Sequence, residues 1–586
     1  MFQWITRCVP GLSILTLLGV SFATFIDLYY SVLYQDLVRD HGQLPGEHAS
    51  DGRPTTLPLT QKIFIGMSLF VHLNAFYFAI RLFFALLKTL RESKKALQRR
   101  HSTTPKSVDT EDAFEAELAG NVPLSVLGGT QFEAEPDYLV NNQEVVHAII
   151  LPNYEENFDT LWTTLHVLAS HPRAASQYEI YLAMEQKELE APAKAVSLVS
   201  TFETRFSHIE ATFHPSGVPG EIAGKSSNVA YAAQRIINSH RRDDREDLTS
   251  KLITVIDADT HLLQDYFNEI QRLHFDDLAS PELSFYTCPI IFDRNSSETP
   301  ILVRCADMMW AFAGVSAMYP GSPISIPTSV YTLPLSMAER VGGWDSDAGA
   351  IGEDMHMLLK CYFAMDGNIT TRVVASPASQ CNISSNEHRG WRRNMDILAA
   401  RYRQALRHMW GALDTGFFIR QSAANLSRPS WRILFSGTQW ALAHLLFEAH
   451  FLPCHLIITL AISSIYSAFI SPESMHPDLE WAFQFTGVLR VCSFIMMNIC
   501  MIVYGHWHNF CVNTRLTDMM DAGVPDAGFS FRNEWNGGTL LERILFPVAG
   551  TLFGPVPAIQ AVFSHFWTDR LVYKVSQKPS FGPSSV

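Results

Sequence analysis

Two aspartates, Asp257 and Asp259, follow a short apolar segment and are separated by a single residue. The segment, residues 251–256, predicts a buried strand, so both carboxylates are expected at its carboxyl end. Two carboxylates buried side by side raise each other's pKa, and a divalent cation removes that cost. Hard oxygen ligands suit Mg²⁺ or Mn²⁺, which also bind phosphates. The pair is a candidate metal site, with a solvent-exposed acidic turn as the alternative.

A second carboxylate pair, Glu353 and Asp354, stands where a glycine-rich segment enters a predicted helix. A carboxylate within hydrogen-bond reach of a hydroxyl group can act as a general base. The alternative is that the pair only caps the helix, because acidic side chains favour helix N-termini. The residues alone leave both interpretations open.

Two further motifs follow predicted strands. In residues 151–156 an aromatic ring, Tyr154, lies beside acidic groups, so it could stack on a base while a carboxylate accepts the base's N–H. In residues 224–228 Lys225 could pair with a phosphate at a helix N-terminus, although the spacing is not that of a P-loop. The alternatives are a plain strand-to-helix turn and a flexible turn with a solvated lysine.

A basic and aromatic segment follows at residues 401–411. Gln404, Arg407 and Trp410 recur every three residues, so neighbouring members lie side by side on a helix. A cation beside an aromatic ring there could hold a diphosphate. The alternative is an amphipathic helix on an anionic membrane surface.

The elements that must position these residues alternate in type. Residues 145–151, 179–184, 209–213 and 252–256 predict strands, and 156–170, 193–206 and 226–237 predict helices. This alternation favours an α/β fold, in which helices cover both faces of a mostly parallel sheet. Ligands bind such sheets outside the carboxyl ends of the strands, which is where the motifs lie.

Long apolar stretches at both ends predict transmembrane helices. The N-terminal stretches are residues 12–34, with a signal peptide as the alternative, and 63–87. Basic residues after the second place the central region on the cytosolic side. The C-terminal stretches, 440–470, 481–504 and 544–566, give five or six spans, since the first could begin as an interfacial helix. The basic tail with Arg570, Lys574 and Lys578 favours a cytosolic C-terminus, which three C-terminal spans would contradict.

Composition narrows the functional class. The formal net charge of −14 argues against a general nucleic-acid-binding protein, which is usually basic. The nine cysteines are scattered without zinc-type spacing, as expected of reduced thiols in a cytosolic or membrane setting.

The order of the motifs resembles family 2 glycosyltransferases, the inverting GT-A group that includes cellulose, chitin and hyaluronan synthases. Residues 152–156 are similar to the P-x-Y-N-E segment that holds the nucleotide base, with Glu155 in place of its asparagine. Residues 224–228 are similar to the G-K-x-x-N segment. Glu185 stands where the family commonly has paired aspartates. The segment from Gln404 to Trp410 is similar to a stretched Q-x-x-R-W, with two additional residues between Arg407 and the tryptophan.

The resemblance also assigns roles. Asp257 and Asp259 match the D-x-D that binds Mg²⁺ or Mn²⁺ and the diphosphate, and Glu353 with Asp354 matches the [TG]-E-D segment, whose aspartate is the catalytic base. It implies that the substrate-binding residues are Pro152, Tyr154, Glu156, Glu185, Lys225, Asn228, Asp257, Gln404, Arg407 and Trp410.

The implied architecture is a GT-A domain, Rossmann-like, at residues 144–411. An N-terminal membrane region at 1–100 and a linker at 101–143 precede it, and an interfacial segment with C-terminal transmembrane helices follows at 412–586.

The implied reaction moves a sugar, with inversion, from a nucleotide sugar to a growing polysaccharide in the plasma membrane or Golgi. UDP is the family's usual nucleotide and GDP the alternative. Transfer of one sugar to a lipid acceptor and a non-catalytic membrane scaffold or transporter are the competing hypotheses. Expected partners are the donor, a glycan or lipid acceptor and membrane lipids, without nucleic acid. An oligomer or accessory subunits are left open.

Overall fold

The computed structural model describes residues 2–41, 56–103, 144–240, 250–275, 280–385, 389–426, 429–472, 475–523 and 528–571. Most of the predicted linker at 101–143 lies outside the described residues, as do Lys574 and Lys578 of the basic tail. The predicted domain boundaries therefore stay predictions at the linker.

The strands of the described residues form one large and one small sheet. Their bounds are β1 Val146–Pro152, β2 Tyr178–Glu185, β3 His208–His214, β4 Lys251–Val255, β5 Ser284–Thr287, β6 Ile290–Arg294, β7 Tyr331–Pro334, β8 Thr370–Val373 and β9 Ala378–Cys381.

The large sheet has seven strands in the order β3-β2-β1-β4-β7-β5-β8. Its first four strands are parallel, β7 runs antiparallel to both neighbours, and β5 and β8 are parallel. The two-stranded sheet pairs β6 with β9 in parallel. The four strands predicted from the sequence are all present. The predicted mostly parallel α/β domain, flanked by helices long and apolar enough to cross a membrane, is confirmed.

The α-helices of the described residues precede, interleave with and follow the strands. They are α1 Phe2–His41, α2 Leu59–Thr103, α3 Phe158–Ala169, α4 Ala174–Gln177, α5 Ala191–Phe202, α6 Lys225–His240, α7 Gln264–His274, α8 Ile301–Val315, α9 Leu335–Arg340, α10 Glu353–Ala364, α11 Gly390–Met409, α12 Leu413–Asn425, α13 Gly437–His450, α14 Leu452–Phe469, α15 Pro477–Asp521, α16 Gly537–Phe553 and α17 Pro555–Ser564.

Helices from both ends of the chain complete the two apolar cores of the sheet. One core joins strand residues to Leu82 of α2 and Trp507 of α15. The other joins strand residues on the opposite face to Leu442 of α13. The inner strands β1, β2, β4, β5 and β7 are almost fully buried because both faces of the sheet are covered, whereas the edge strands β3 and β8 are partly exposed. The sheet domain and the apolar helices from both ends of the chain therefore share their packing.

In the part of the chain that the structure describes, five helical segments are long and apolar enough to cross a membrane: Phe2–Tyr30, Leu59–Arg100, Leu452–Phe469, Pro477–Asp521 and Gly537–Ser564. The predicted stretch 440–470 is divided into α13 and α14 at Phe451, where a proline at the start of α14 provides no N–H to continue the first helix. The predicted stretch 544–566 is likewise divided, at Gly554 between α16 and α17.

Candidate functional site

Three separate motifs meet beyond the carboxyl end of β4. Asp257 follows this strand, Lys225 begins α6, and Glu353 begins α10. The Lys225 ammonium lies 2.9 Å from Asp257 Oδ1 and 3.3 Å from Glu353 Oε2. Burial alone would lower the pKa of Lys225, but the carboxylates of Asp257, Glu353 and Asp354 outweigh it and raise that pKa. The lysine therefore stays charged and links the D-x-D to Glu353, the residue before the predicted base.

Glu353 is held in place by two aromatic side chains. It is 5% exposed, and its Oε1 accepts hydrogen bonds from the Tyr331 hydroxyl and, at 3.2 Å, from the Trp344 indole. The indole also donates to the Tyr331 oxygen at 2.6 Å. These contacts orient Glu353 towards Lys225, so Glu353 has a structural partner on one oxygen and a cation near the other.

Asp354 is only partly buried and occupies the first turn of α10. One carboxylate oxygen accepts from its neighbour's backbone N–H, that of Met355, at 2.8 Å. Burial and the negative charge of Glu353 raise the pKa of Asp354 to about 7, against the opposing effect of Lys225. A carboxyl group with a pKa near the working pH is suited to accept a proton from a hydroxyl group.

A charged network supports the next turn of the same helix. His356 Nδ1 lies 2.7 Å from Asp414 Oδ1, and His356 Nε2 lies 3.1 Å from Asp345 Oδ2. Despite burial, these two carboxylates raise the pKa of His356 to about 9, so both ring nitrogens donate as an imidazolium. Lys360 donates to Asp345 Oδ1 at 2.6 Å. The network ties α10 to the start of α12.

Hydrogen bonds from neighbouring segments hold the D-x-D turn at Asp259. Asp259 is 5% exposed, and its Oδ2 accepts from the Cys381 backbone N–H at 3.3 Å. The Asp259 carbonyl accepts from the guanidinium of Arg294, a side chain that is itself buried. The Asp257 side chain, by contrast, is 32% exposed.

The donor set at this turn fits a divalent cation that is shared with a substrate. Within the described ranges no group of three or more His, Cys, Asp or Glu side chains could hold a metal ion. Mg²⁺ in nucleotide sites typically takes one or two carboxylates and fills its other positions with phosphate oxygens and water. Asp257 and Asp259 can supply that number of carboxylates.

The predicted base-binding segment leaves the end of β1, where Pro152 is the last strand residue. The Lys187 ammonium lies over a face of the Tyr154 ring, 4.1 Å from its centre, in a cation–π contact. A nucleobase stacked on that face would take the place of the ammonium. Glu155 has φ = 57°, in the left-handed region. Its N–H donates to Glu188 Oε2 at 2.8 Å. The Glu156 carbonyl accepts from a lysine of α5 at 2.6 Å.

Two other predicted binding residues make internal contacts. The Asn228 amide donates to the Ala183 carbonyl at 2.7 Å and to the Asn153 carbonyl at 3.4 Å. These bonds tie α6 to the ends of β1 and β2. The Glu185 carboxylate lies 3.2 Å from His214 Nδ1, and this contact raises the pKa of His214.

The segment that contains Gln404 and Arg407 forms the end of α11. Gln404 accepts a hydrogen bond from Arg401, and Arg407 is partly buried. Trp410 is 4% exposed and its ring packs edge-on against His565 at 4.9 Å between centroids. The following residue, Gly411, lies against Gly352, directly before Glu353 and Asp354.

Several residues at the site were not among the predicted ones: Tyr331, Trp344, Asp345, His356, Asp414 and Arg294. Trp344 and Asp345 belong to the glycine-rich segment before Glu353, so their position in the sequence was an available signal. Asp414 and Arg294 come from distant segments and no local pattern indicates them.

Comparisons with known proteins agree with the reaction class. Residues 252–507 match the group described as glycosyl transferase family group 2. No curated protein matches the chain in sequence.

The solved structures that match this chain do so at low similarity. A mannosyltransferase from Pyrobaculum calidifontis, solved with GDP-Man and Mn²⁺, is 12% identical with a TM-score of 0.36, over 72% of this chain and 98% of that chain. TarS from S. aureus is 9% identical with a TM-score of 0.27, over 60% and 54%. A mycobacterial protein is 12% identical with a TM-score of 0.26, over 46% and 78%.

Proposed function

We propose that this chain is a glycosyltransferase that elongates a membrane-associated polysaccharide, a proposal supported by the match of residues 252–507 to glycosyl transferase family group 2. The donor is a nucleotide sugar, with UDP as the nucleotide, and the transfer is metal-dependent and inverts the anomeric carbon. The catalytic domain faces the cytosol, because the basic cluster from Lys88 to Arg100 directly follows the apolar stretch of α2.

The observation that carries this proposal is the position of Lys225 between the two carboxylate motifs. Its ammonium contacts Asp257 of the D-x-D and Glu353 beside the base within 3.3 Å. A donor diphosphate bound by Lys225 and the D-x-D therefore has its sugar close to Asp354. The fixed positive charge of Lys225 stabilises the negative charge that develops on the leaving diphosphate.

Asp257 and Asp259 are the residues that would hold Mg²⁺ or Mn²⁺. When bound, the ion supplies positive charge to the diphosphate oxygens. Tyr154 offers its ring to the base, and Arg407 adds positive charge near the diphosphate. These residues thereby orient the donor and draw electron density towards its phosphates.

Asp354 performs the proton transfer. An acceptor hydroxyl approaches the anomeric carbon from the side opposite the diphosphate, and its proton passes to the Asp354 carboxylate. The new carbon–oxygen bond forms as the bond to the diphosphate breaks, and the bonding electrons leave with the diphosphate. A single displacement of this kind inverts the configuration at carbon.

Asp354→Asn tests this assignment directly. We expect transfer to fall by at least about 10²-fold, the scale of general-base catalysis, while the dissociation constant for UDP stays within about twofold. Transfer is measured as nucleotide release by purified protein, and UDP binding by calorimetry.

The matched control is Asp366→Asn. Asp366 is exposed beyond the opposite end of α10, and its φ of 51° suits asparagine well. This variant should retain wild-type turnover. Near wild-type turnover by Asp354→Asn would instead remove Asp354 from the role of base.

A further inference from the structure

The turn that bears the two D-x-D aspartates rests on a buried arginine. Arg294 is 2% exposed and donates to the Asp259 carbonyl. It also donates to His261 Nε2 at 2.9 Å and to the Ser379 hydroxyl at 3.1 Å. The backbones of His261 and Ser379 bond to each other in both directions at 3.0 Å. The turn therefore cannot move independently of β9.

A second buried arginine reaches the same place from a different helix. The guanidinium of Arg515 in α15 lies 2.9 Å from Asp293 Oδ2. It donates to the His261 carbonyl at 3.3 Å and also to the Pro377 carbonyl. Its side chain is 2% exposed and that of Asp293 is 0% exposed. Arg515 thus contacts the backbone two residues after Asp259.

The helix that carries Arg515 is one of the candidate membrane spans. With 45 residues, α15 is roughly 67 Å long at 1.5 Å per residue, about twice the thickness of a bilayer's hydrocarbon core. Its C-terminal part therefore projects beyond the membrane into the catalytic domain. There Asp518 pairs with Arg100 of α2 at 2.8 Å, and Arg100 also lies 3.5 Å from Asp265. Two candidate membrane helices are thereby locked together beside the turn.

We propose that Arg515 is a positioning residue that fixes the metal-binding turn to a membrane helix. It does not touch the donor; it acts through the His261 carbonyl on the placement of Asp257 and Asp259. This inference rests on the proposed metal role of those aspartates. The Arg515 guanidinium combines one ion pair with hydrogen bonds to two carbonyl oxygens, an arrangement that an ammonium cannot reproduce. A positive charge at position 515 is therefore not sufficient to hold the metal-binding turn in place.

Arg515→Lys separates positioning from charge, because the lysine can still pair with Asp293 but loses the fork to the two carbonyl oxygens. The readout is UDP affinity by calorimetry, with and without Mn²⁺, on the full chain in lipid nanodiscs. We expect the Mn²⁺-dependent gain in affinity to fall at least tenfold. The metal-free affinity should change less than twofold, because Arg515 contacts Asp293, His261 and Pro377, whereas Tyr154 belongs to a different segment.

Arg304→Lys is a matched control, since Arg304 also combines one carboxylate with two carbonyl groups. It lies 2.6 Å from Glu542 Oε1 and donates to the carbonyls of Ser296 and Thr299 at 3.4 and 3.0 Å. Arg304→Lys should leave the Mn²⁺-dependent gain unchanged. A gain that is equally reduced in both lysine variants would mean general destabilisation and would overturn the positioning role.

Asp293→Asn gives a second route if Arg515→Lys does not yield folded protein. It keeps the side-chain shape and the hydrogen bond from the Ser379 hydroxyl but removes the charge that anchors Arg515. We expect about a threefold loss of the same Mn²⁺-dependent gain. An unchanged gain in a folded variant contradicts the inference. Asp259→Ala separates the two proposals: if it and the wild type bind UDP equally with Mn²⁺, the metal assignment itself is wrong, and the role of Arg515 falls with it.

Discussion

Lys225 carries the charge on which the arrangement of the site depends. Its positive charge interacts with the carboxylates of Asp257, Glu353 and Asp354. Its ammonium pairs directly with Asp257 and Glu353. Asp354 is the one left with a pKa near neutrality. Paired carboxylates with different environments commonly divide into a charged partner and a proton acceptor. In the proposed mechanism Asp354 is the proton acceptor, while Glu353 is held by two aromatic donors.

This division predicts a pH dependence. Asp354 must be unprotonated to act as a base, and its pKa is raised to about 7. The kcat/KM should therefore fall about tenfold per pH unit below pH 7. Glu353→Gln removes a charge that raises this pKa, so the acid limb should move to lower pH. A pH profile from 5.5 to 9 checks both; a profile that is flat down to pH 5.5 would contradict the assignment.

The nucleotide segment contains a strained residue. Glu155 has φ = 57° at the position where the resembled family has asparagine, a residue that tolerates this region well. We expect Glu155→Asn to stabilise the fold by about 1 kcal/mol. Glu155→Val should destabilise it, because β-branched side chains are poorly accommodated there. Thermal unfolding followed by intrinsic fluorescence ranks the three proteins; valine equal to asparagine would show that no strain is stored.

The sequence predicted the motif residues that the structure brings together. It did not predict the residues that hold them in position. Asp257, Asp354 and Lys225 stand at strand ends or helix starts, where pattern and spacing are informative. The partners of His356 are Asp345 and Asp414, and the latter follows from tertiary packing alone. No local spacing relates residue 414 to residue 356, so this network could not be predicted.

At the scale of elements, the start of α10 is the most tightly fitted part of the site. An ideal Cβ on Gly352 would lie 2.5 Å from Asp414 Oδ2 and 3.4 Å from Gly411 Cα. Asp414 cannot easily withdraw, since it is fully buried and bonded to His356. A glycine is therefore needed so that α11, α12 and the predicted base can approach one another.

Gly352→Ala tests this close approach. Overpacking of this kind costs about 1–3 kcal/mol, and the shift falls on the turn that carries Asp354. We expect kcat to drop about tenfold or more while UDP affinity is retained, because a misplaced catalytic group costs on the order of 10²-fold. Gly437→Ala, which has open space around its Cβ position, should change neither quantity. Full activity of Gly352→Ala would mean that the turn adapts freely.

Element boundaries near the membrane were the weaker part of the prediction. The stretch 440–470 was predicted either to cross the membrane or to begin as an interfacial helix that leads into a span; α13 ends at His450, and α14, a candidate span, begins at Leu452. Glu448 of α13 pairs with Arg81 of α2, and both side chains are nearly fully buried. Hydropathy alone does not separate a helix that packs on a catalytic domain from one that spans a bilayer.

At the scale of the whole molecule, the catalytic domain and the membrane helices form a common core. Trp507 of α15 and Leu82 of α2 pack with the strands, and Trp410 beside the predicted base packs against His565 at the end of α17. In the proposed function, candidate membrane helices therefore limit one side of the path by which an acceptor reaches the site. This arrangement suits an acceptor that stays at the membrane during transfer.

The most direct test of the central claim is nucleotide-sugar turnover by the purified protein in lipid nanodiscs. UDP- and GDP-linked sugars are supplied with Mn²⁺ or Mg²⁺, and the product is sized. We predict metal-dependent release of UDP together with a long saccharide product. Both should be absent with Asp354→Asn. A short lipid-linked product would replace the polysaccharide acceptor with a lipid. Release that is indifferent to metal, or equal in Asp354→Asn, would contradict the account.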